Sequence, residues 1–371
     1  MTQASDLDPE VRERLVRRFR RFADEEAPAV GSPLYARLAA GASRHPDVLA
    51  VLAEAPERQQ RPTTLFAAVH DVLLRDPQHP LAAHYPRLAG DREPSSDPVD
   101  DLRDLVREHH DELRRLAGTR GTQTNEVLRA VGVAPAIAQV AAEVGRPVAL
   151  LEVGPSAGLL LRLDRYGYRY VDLDGRAVGE SPAGGLRLTS EVRHGDVPPV
   201  HLLPPPIVDR VGLDLAPLDV TDEDDVRWLR ACVWPEHTGR AERLDAALAA
   251  ARDDPPPLVT GDMVDDLAAT ADRLDPDAHL VVLHGVSLMY LPAGRRERFR
   301  QRLAELARRR PLDVVAFEDH RIEPYGELFP ADLAGDDAMH GIVARSSYRA
   351  GEVTHTLLGR AHMHGRWVGW A

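Results

Sequence analysis

The stretch Pro147–Leu161 reads PVALLEVGPSAGLLL and decides the fold expected for this chain. An apolar run from Val148 to Val153, interrupted by Glu152, leads through the five residues 154–158, GPSAG, into a second apolar run. This order predicts a buried parallel strand, a tight turn and the first turn of a helix. Small residues let backbone N–H groups approach a ligand, and a helix N-terminus adds partial positive charge. The stretch therefore predicts a nucleotide-type ligand site, with tight strand–helix packing as the alternative.

Length and composition indicate a globular protein of two domains. The chain has 371 residues, of which 43% are hydrophobic and 28% are charged. The formal net charge of −13 argues against a nucleic-acid partner, because phosphate binding needs a basic face. All 46 basic residues are arginine, so a lysine Schiff base and a lysine general base are both excluded.

Cysteine content and hydropathy indicate a cytoplasmic location. The single cysteine, Cys232, cannot form an intramolecular disulfide, which suits a reducing compartment. The sequence shows no N-terminal apolar segment and no apolar run of about eighteen residues. Membrane contact is therefore not expected.

The pattern of apolar residues predicts two parts. Apolar residues at helical spacing, separated by proline and glycine, predict an all-helical cap or lid domain over residues 1–145. An α/β domain is predicted over residues 146–371. Within it, short segments between about 167 and 200 predict a small β-hairpin insertion, with Asp174-Gly175 as a turn signal.

Further strands are predicted along the α/β domain. Buried strands are expected at Ile207–Leu215, Pro257–Asp262, Ala278–Gly285 and Leu312–Phe317, and a closing antiparallel pair near Gly341–Ser346 and Val353–Arg360. Because these strands alternate with helices, we expect a mostly parallel, seven-stranded, Rossmann-like sheet that binds its ligand at the carboxyl ends of the strands.

The central turn resembles the first motif of class I S-adenosylmethionine-dependent methyltransferases. Its spacing is Glu-x-Gly-x-Ser-x-Gly, and Ser156 stands where the middle glycine usually lies. A nicotinamide-binding fingerprint would require glycine at the positions of Ser156 and Leu159. The resemblance implies a class I methyltransferase-like fold with S-adenosyl-L-methionine as cofactor, in contact with Glu152, Gly154, Ser156 and Gly158.

Two acids extend the resemblance. VGLDLAPLDV is similar to the second strand of these enzymes, whose terminal acid accepts hydrogen bonds from both ribose hydroxyls, and that acid is Asp214 here. Asp172 and Asp174 compete for this role because they lie nearer to the usual spacing of about twenty residues. Asp262 resembles the acid that contacts adenine.

A closer resemblance covers most of the chain. The motifs LFAAVHDVLL, QTNEV, LLEVGPSAGL, DRYGYRY, GLDLAPLDV, WLRACVWPEH and LVVLHGVSLMYLP, between about Phe19 and Glu318, are similar to an uncharacterised bacterial family, domain of unknown function 2332. This resemblance implies a fold but no activity.

Two histidines are candidate catalytic bases. His284 ends a predicted strand over the expected cleft, and His320 follows Glu318 and Asp319 at the end of the next strand. For His284, the alternative is a histidine that is hydrogen-bonded in the core or caps the next helix. His362 and His364 share one face of a strand, but no third ligand is indicated, so no metal site is predicted.

Seven polar residues are candidates for substrate binding, with structural hydrogen bonds and ion pairs as their alternative. They are Gln123, Asn125, Glu126, Arg165, Tyr166, Tyr290 and Glu318. The expected function is methyl transfer from S-adenosyl-L-methionine to a small molecule, achieved by positioning and helped by a histidine base. The alternative is a non-methylating small-ligand-binding protein, or a different enzyme on the same scaffold. A homodimer is left open.

Overall fold

Contacts divide the chain into two compact units. The computed structural model describes residues 7–182, 184–328 and 340–371. One unit contains the described residues up to Thr124 and the segment Asp222–Asp245, and the other contains Asn125–Thr221 and Ala246–Ala371. Residues 125–145, which the sequence pattern assigned to the helical part, belong to the unit that contains the sheet.

Proline sets the starts of most helices in the first unit. The α-helices of the described residues are α1 (Pro9–Arg21), α2 (Ala27–Ala29), α3 (Pro33–Ala42), α4 (Pro46–Leu49), α5 (Pro62–Arg75), α6 (Pro86–Ala89), α7 (Pro98–Glu108), α8 (His110–Thr119), α9 (Ala130–Val144), α10 (Glu223–Ala231), α11 (Thr238–Arg252), α12 (Leu267–Ala271) and α13 (Ala293–Ala307). Six of them begin with proline, whose missing N–H costs nothing in the first turn. Asp8 and Asp97 cap α1 and α7 by accepting hydrogen bonds from first-turn N–H groups.

The second unit is built on one sheet. Its strands are β1 (Val148–Val153), β2 (Gly167–Val171), β3 (Ala177–Glu180), β4 (Arg187–Val192), β5 (Ile207–Asp214), β6 (Leu258–Thr260), β7 (His279–Gly285), β8 (Leu312–Asp319), β9 (His340–Arg349), β10 (Glu352–His362) and β11 (Trp367–Trp370). Their order is β3-β2-β4-β11-β10-β9-β8-β7-β1-β5-β6. The five strands from β8 to β6 pair in parallel, whereas β8, β9, β10 and β11 pair antiparallel.

The prediction of a seven-stranded, mostly parallel, Rossmann-like sheet is wrong. The sheet of the described residues has eleven strands and mixed directions. The predicted hairpin insertion does not stand apart, because β4 pairs in parallel with β11 and so extends the far end of the sheet. Residue 183, within the predicted insertion, lies outside the described residues.

Helices cover both faces of the parallel strands. On one face, alternate residues of β1, β7 and β8 pack with α12 and α13, and Phe299 and Leu303 of α13 lie in this core. On the other face, α9 contacts β7, β8 and β9. A Cβ at Gly132 of α9 would lie 2.8 Å from Val343, so only glycine allows this close approach.

Among the described residues, one stretch is apolar enough to cross a membrane by length and composition. It is Val127–Val144, which includes α9, and 78% of this window is buried inside the protein. The expectation of no such run overlooked this segment. Its burial against the sheet identifies it as a core helix.

Candidate functional site

The turn after β1 is fixed by hydrogen bonds within the chain. Ser156 has a φ of 57° and Gly154 a φ of 75°, both in the left-handed region. The N–H of Gly154 donates to Leu213 O at 2.9 Å, and the N–H of Ser156 donates to Asp214 Oδ2 at 2.9 Å. The N–H of Gly158 donates to Pro155 O. These three N–H groups, which the sequence suggested for a ligand, therefore have partners in the protein.

Packing accounts for both glycines of the turn. A Cβ on Gly154 would lie 2.6 Å from the Cβ of Ser287, and a Cβ on Gly158 would lie 2.8 Å from Pro256. A 3-10 helix, Leu159–Arg165, follows the turn instead of the expected α-helix. The turn is therefore a tightly packed element without an α-helix N-terminus behind it.

Asp214 lies directly beside the turn. Its Oδ1 accepts from the N–H of Ala216 at 2.9 Å and its Oδ2 accepts from Ser156. Each carboxylate oxygen can accept more than one hydrogen bond, so acceptor capacity remains on both. The competing acid Asp172 closes the β2–β3 turn by accepting from the N–H groups of Asp174 and Arg176.

Glu152 is a buried acid with an unmatched oxygen. Its exposed fraction is 2%, and its Oε2 has no hydrogen-bond partner within the described ranges. Burial and then the charge of Asp214, opposed by Arg129, together raise the pKa of Glu152 to about 8. Ser156 Oγ is also buried without a partner in the described part of the chain. We call Glu152, Ser156 and Asp214 the acidic turn cluster.

The register of the sheet places His284 on the opposite face from Glu152. Glu152 pairs with Leu283 in the parallel register, and successive strand residues alternate between faces. Glu152 also pairs with Gly212, so Asp214, two residues further, shares its face. The expectation that His284 lies over the same cleft as Glu152 does not agree with this register.

His284 is fully buried and hydrogen-bonded at both ring nitrogens. Its Nδ1 lies 2.9 Å from Glu318 Oε1, and its Nε2 lies 3.1 Å from the hydroxyl of Tyr325. Glu318 Oε1 also accepts from the N–H groups of Ser287 and Leu288, each at 3.0 Å. His284 and Glu318 therefore hold the loop after β7 against the end of β8.

A hydrogen-bonded chain continues from His284 toward the surface. Tyr325 bonds to Ser346, and Ser346 Oγ lies 2.7 Å from Nδ1 of His355. His355 lines a surface cavity of about 390 Å³ together with Arg300 and others. Burial, followed by the charge of Arg300, lowers the pKa of His355. Nothing in the sequence pattern linked these residues, because they come from a loop and two antiparallel strands.

His320 and Asp262 lie at the ends of β8 and β6. His320 Nδ1 is 3.3 Å from His340 O and 3.7 Å from Asp319 Oδ1, and 27% of the His320 side chain is exposed. Asp262 Oδ1 accepts from the N–H of Val264 at 2.7 Å and forms an ion pair with Arg295 at 2.5 Å. Asp262 therefore stabilises the loop that follows β6.

The predicted substrate residues lie in different places. Asn125 Nδ2 donates to Pro155 O at 3.3 Å, which places it on the turn. Glu126 Oε1 accepts from the N–H of Leu128. Gln123 belongs to the helical unit, where its N–H donates to Sγ of Cys232.

The remaining three have separate surroundings. Arg165 forms an ion pair with Asp254, and Tyr166 donates from its buried hydroxyl to Leu159 O at 2.7 Å. Tyr290 is 65% exposed. Of the predicted set, Glu152, Ser156, Asp214 and Asn125 share one neighbourhood. Among the described residues, no three His, Cys, Asp or Glu side chains form a group that could hold a metal ion.

Comparison with known proteins identifies the family. Residues 16–370 match the model of a family described as an uncharacterized protein conserved in bacteria, DUF2332. The chain belongs to this family. No curated protein and no solved structure matches it. The match confirms the family resemblance seen in the sequence, and it carries no reaction.

Proposed function

We propose that this DUF2332 protein binds S-adenosyl-L-methionine at the acidic turn cluster and transfers its methyl group to a small molecule. The observation that carries the proposal is the buried Glu152, whose Oε2 lacks a partner in the described part of the protein, next to Asp214. Buried polar groups are nearly always paired, so an unpaired one marks a place where a ligand can supply the partner.

The donor and acceptor set fits an adenosyl ligand with a positive charge. Asp214 can accept from two vicinal ribose hydroxyls with the capacity that Ser156 and Ala216 leave. The hydroxyl group of Ser156 and the carboxyl group of Glu152 can each form a further hydrogen bond with the ligand. S-adenosyl-L-methionine supplies an activated sulfonium methyl group, whose charge two neighbouring carboxylates would stabilise.

The other predicted residues have supporting roles in this proposal. Asn125 holds the turn by donating to Pro155 O. Of the two candidate bases, His320 is 27% exposed and His284 is fully buried, so we keep His320 as the candidate base. His284 keeps Glu318 in place. No step is assigned to the remaining predicted residues, which are Gln123, Glu126, Arg165, Tyr166, Asp262, Tyr290 and Glu318.

A second candidate function is ligand binding without methyl transfer. It is favoured by the three turn N–H groups that bond within the chain, and by the packing contacts that explain Gly154 and Gly158. Under either function we expect a small-molecule ligand, a cytoplasmic location, and neither nucleic acid nor membrane as partner. A homodimer agrees with both.

Calorimetry on the full chain tests the proposal. We expect S-adenosyl-L-methionine to bind at pH 7 with release of a proton, because the sulfonium lowers the pKa of Glu152 from about 8. S-adenosylhomocysteine, which lacks that charge, should release less. Two buffers that differ in ionisation enthalpy give the proton count.

Matched variants locate the site. Asp214→Asn should weaken binding at least about tenfold, because hydrogen bonds to a charged acceptor are lost. Asp174→Asn, in the exposed β2–β3 turn, should leave the Kd unchanged. Absence of binding by both ligands would end the proposal. Binding of S-adenosyl-L-methionine without formation of S-adenosylhomocysteine, assayed with small-molecule extracts by mass spectrometry, would favour the second candidate.

A further inference from the structure

The helical unit contains a cavity that is separate from the acidic turn cluster. It has a volume of about 280 Å³, and its wall includes Leu74, Tyr85, Leu88, Val233 and Trp234. All of these residues belong to the first unit. The volume lies near the lower end for small-molecule sites, so it suits a ligand with a single or fused aromatic ring.

The charged groups of the cavity carry an excess of positive charge. Arg87 Nη2 and Arg230 Nε each donate to Asp245, at 2.7 Å in both cases. Two guanidinium groups thus share one carboxylate. Each guanidinium has five N–H donors, and the structure gives Arg87 and Arg230 no second partner among the described residues.

The two remaining titratable groups of the wall, Tyr85 and His70, are neutral, and burial raises the pKa of the Tyr85 hydroxyl well above its usual range. His70 is buried, and its Nδ1 donates to Ala231 O at 3.2 Å. Burial lowers the pKa of His70 to about 4, so it adds no charge at neutral pH. The charged side chains of the cavity wall are therefore Arg87 and Arg230, which are positive, and Asp245, which is negative. The net charge facing the cavity is positive.

The aromatic part of the wall is held in place. The Trp234 ring lies 5.3 Å from Phe22, 5.5 Å from Tyr35 and 5.8 Å from His237, measured between ring centroids. Neighbours on several sides restrict the rotamer of Trp234, so a ligand that packs on it loses little additional side-chain entropy. An apolar wall with a cationic rim is complementary to an anion with an apolar body.

We propose that this cavity is a binding site for a small arene carboxylate, with the ring against Trp234 and Tyr85 and the carboxylate on Arg87 and Arg230. The site is independent of the acidic turn cluster and of the function proposed for it. Planar guanidinium groups with unpaired N–H donors are well suited to carboxylate oxygens.

Calorimetry of the full chain with 2-naphthoate and the isosteric neutral 2-naphthamide tests the site. We expect the acid to bind at least about tenfold more tightly than the amide, because charge-assisted hydrogen bonds form with the acid alone. Equal affinities, or no saturable binding of the acid at millimolar concentration, would overturn the proposal.

Two variants should shift the affinity in opposite directions. Arg87→Gln should weaken binding of 2-naphthoate about tenfold, whereas Asp245→Asn should strengthen it because the competing carboxylate loses its charge. General disruption of the fold cannot produce both shifts. Arg37→Gln, an exposed arginine paired with Asp97 outside the cavity, is the matched control and should not change the Kd. Loss of binding in both cavity variants would contradict the assigned charges.

Discussion

Two buried acids of the parallel strands, Asp313 and Glu152, have opposite surroundings. At the amino end of β8, Asp313 is fully buried and accepts from His279 at 2.7 Å, from Arg345 at 2.7 Å, and from Ser347 and Arg349. Burial alone would raise the pKa of Asp313, but these hydrogen bonds together lower it well below its usual range.

At the carboxyl end, Glu152 is buried to the same degree but lacks such donors. Its pKa is raised to about 8, mainly by burial and then by Asp214. A buried carboxylate with several hydrogen-bond donors stabilises the fold. A buried carboxylate without donors destabilises it, and a ligand that supplies a donor can remove that cost. The contrast is between two residues and does not extend to every acid at each end, because Glu318, at the carboxyl end of β8, accepts from Ser287 and Leu288.

Removal of the Asp313 charge should have the largest effect on stability. Asp313→Asn leaves His279, Arg345 and Arg349 without their common anion, and breaking a buried pair costs about 3–5 kcal/mol. The midpoint of urea denaturation should fall accordingly. Glu143→Gln, which removes the half-exposed partner of Arg345, is the control and should cost much less. Similar losses in both variants would contradict a special role for Asp313.

Glu152→Gln should change how stability depends on pH. The folded pKa of about 8 lies above the unfolded value of about 4.3, so the folded state holds the proton more tightly. Wild-type stability should therefore fall relative to the variant as pH rises from about 4 to 8, by an amount on the order of a few kcal/mol, and then stay level. Denaturation midpoints from pH 5 to 9 measure the difference. Parallel curves would show that Glu152 titrates normally.

Tyr325→Phe tests whether the face of the sheet that carries His284 is independent of the face that carries Glu152. The variant removes the hydroxyl that bonds to His284 Nε2 and to Ser346, while the ring keeps its packing. We expect a loss of about 1 kcal/mol in the free energy of unfolding. Binding of S-adenosyl-L-methionine should not change, because His284 and Glu152 point to opposite faces of the sheet. A large change in ligand affinity would contradict that separation.

Asp174→Asn should have the smallest effect. Asp174 lies in the β2–β3 turn, and its ion pair with Arg176 is exposed, so the change in unfolding free energy should stay within about 0.5 kcal/mol. Thermal denaturation of Asp174→Asn and of Asp313→Asn under the same conditions measures the smallest and the largest expected loss of stability. A loss above about 1 kcal/mol would mean that the turn supports the sheet end more than its exposure indicates.

The apolar runs of the sequence predicted the five parallel strands well. Continuous runs of branched apolar residues, as in Val148–Val153 and His279–Gly285, suit only strands that are buried on both faces. The pairing of β4 with β11 left no such signal, because it joins residues more than 170 positions apart. Sequence reasoning therefore missed the length of the sheet and the strands beyond β10, although it predicted the antiparallel pair β9–β10.

The candidate site was predictable in part. The short spacing from Glu152 to Ser156 and the strand-ending position of Asp214 were visible as patterns. The opposite faces of Glu152 and His284 depend on the register between β1 and β7, and register is set by pairing across the sheet. A histidine at a strand end therefore looked like a neighbour of the turn although its ring lies in the other layer.

By itself, the sequence determined the family, the buried strands and the tight turn with its acid, because these depend on local runs and short spacing. Only the tertiary structure decided which buried acids have hydrogen-bond donors around them and which lack them. The sequence placed Asp313 and Glu152 alike on buried strands, and only long-range donors from β7 and β9 separate the pKa of one from that of the other. Charge neutralisation in the core depends on which residues meet in space, and local pattern carries no information about that.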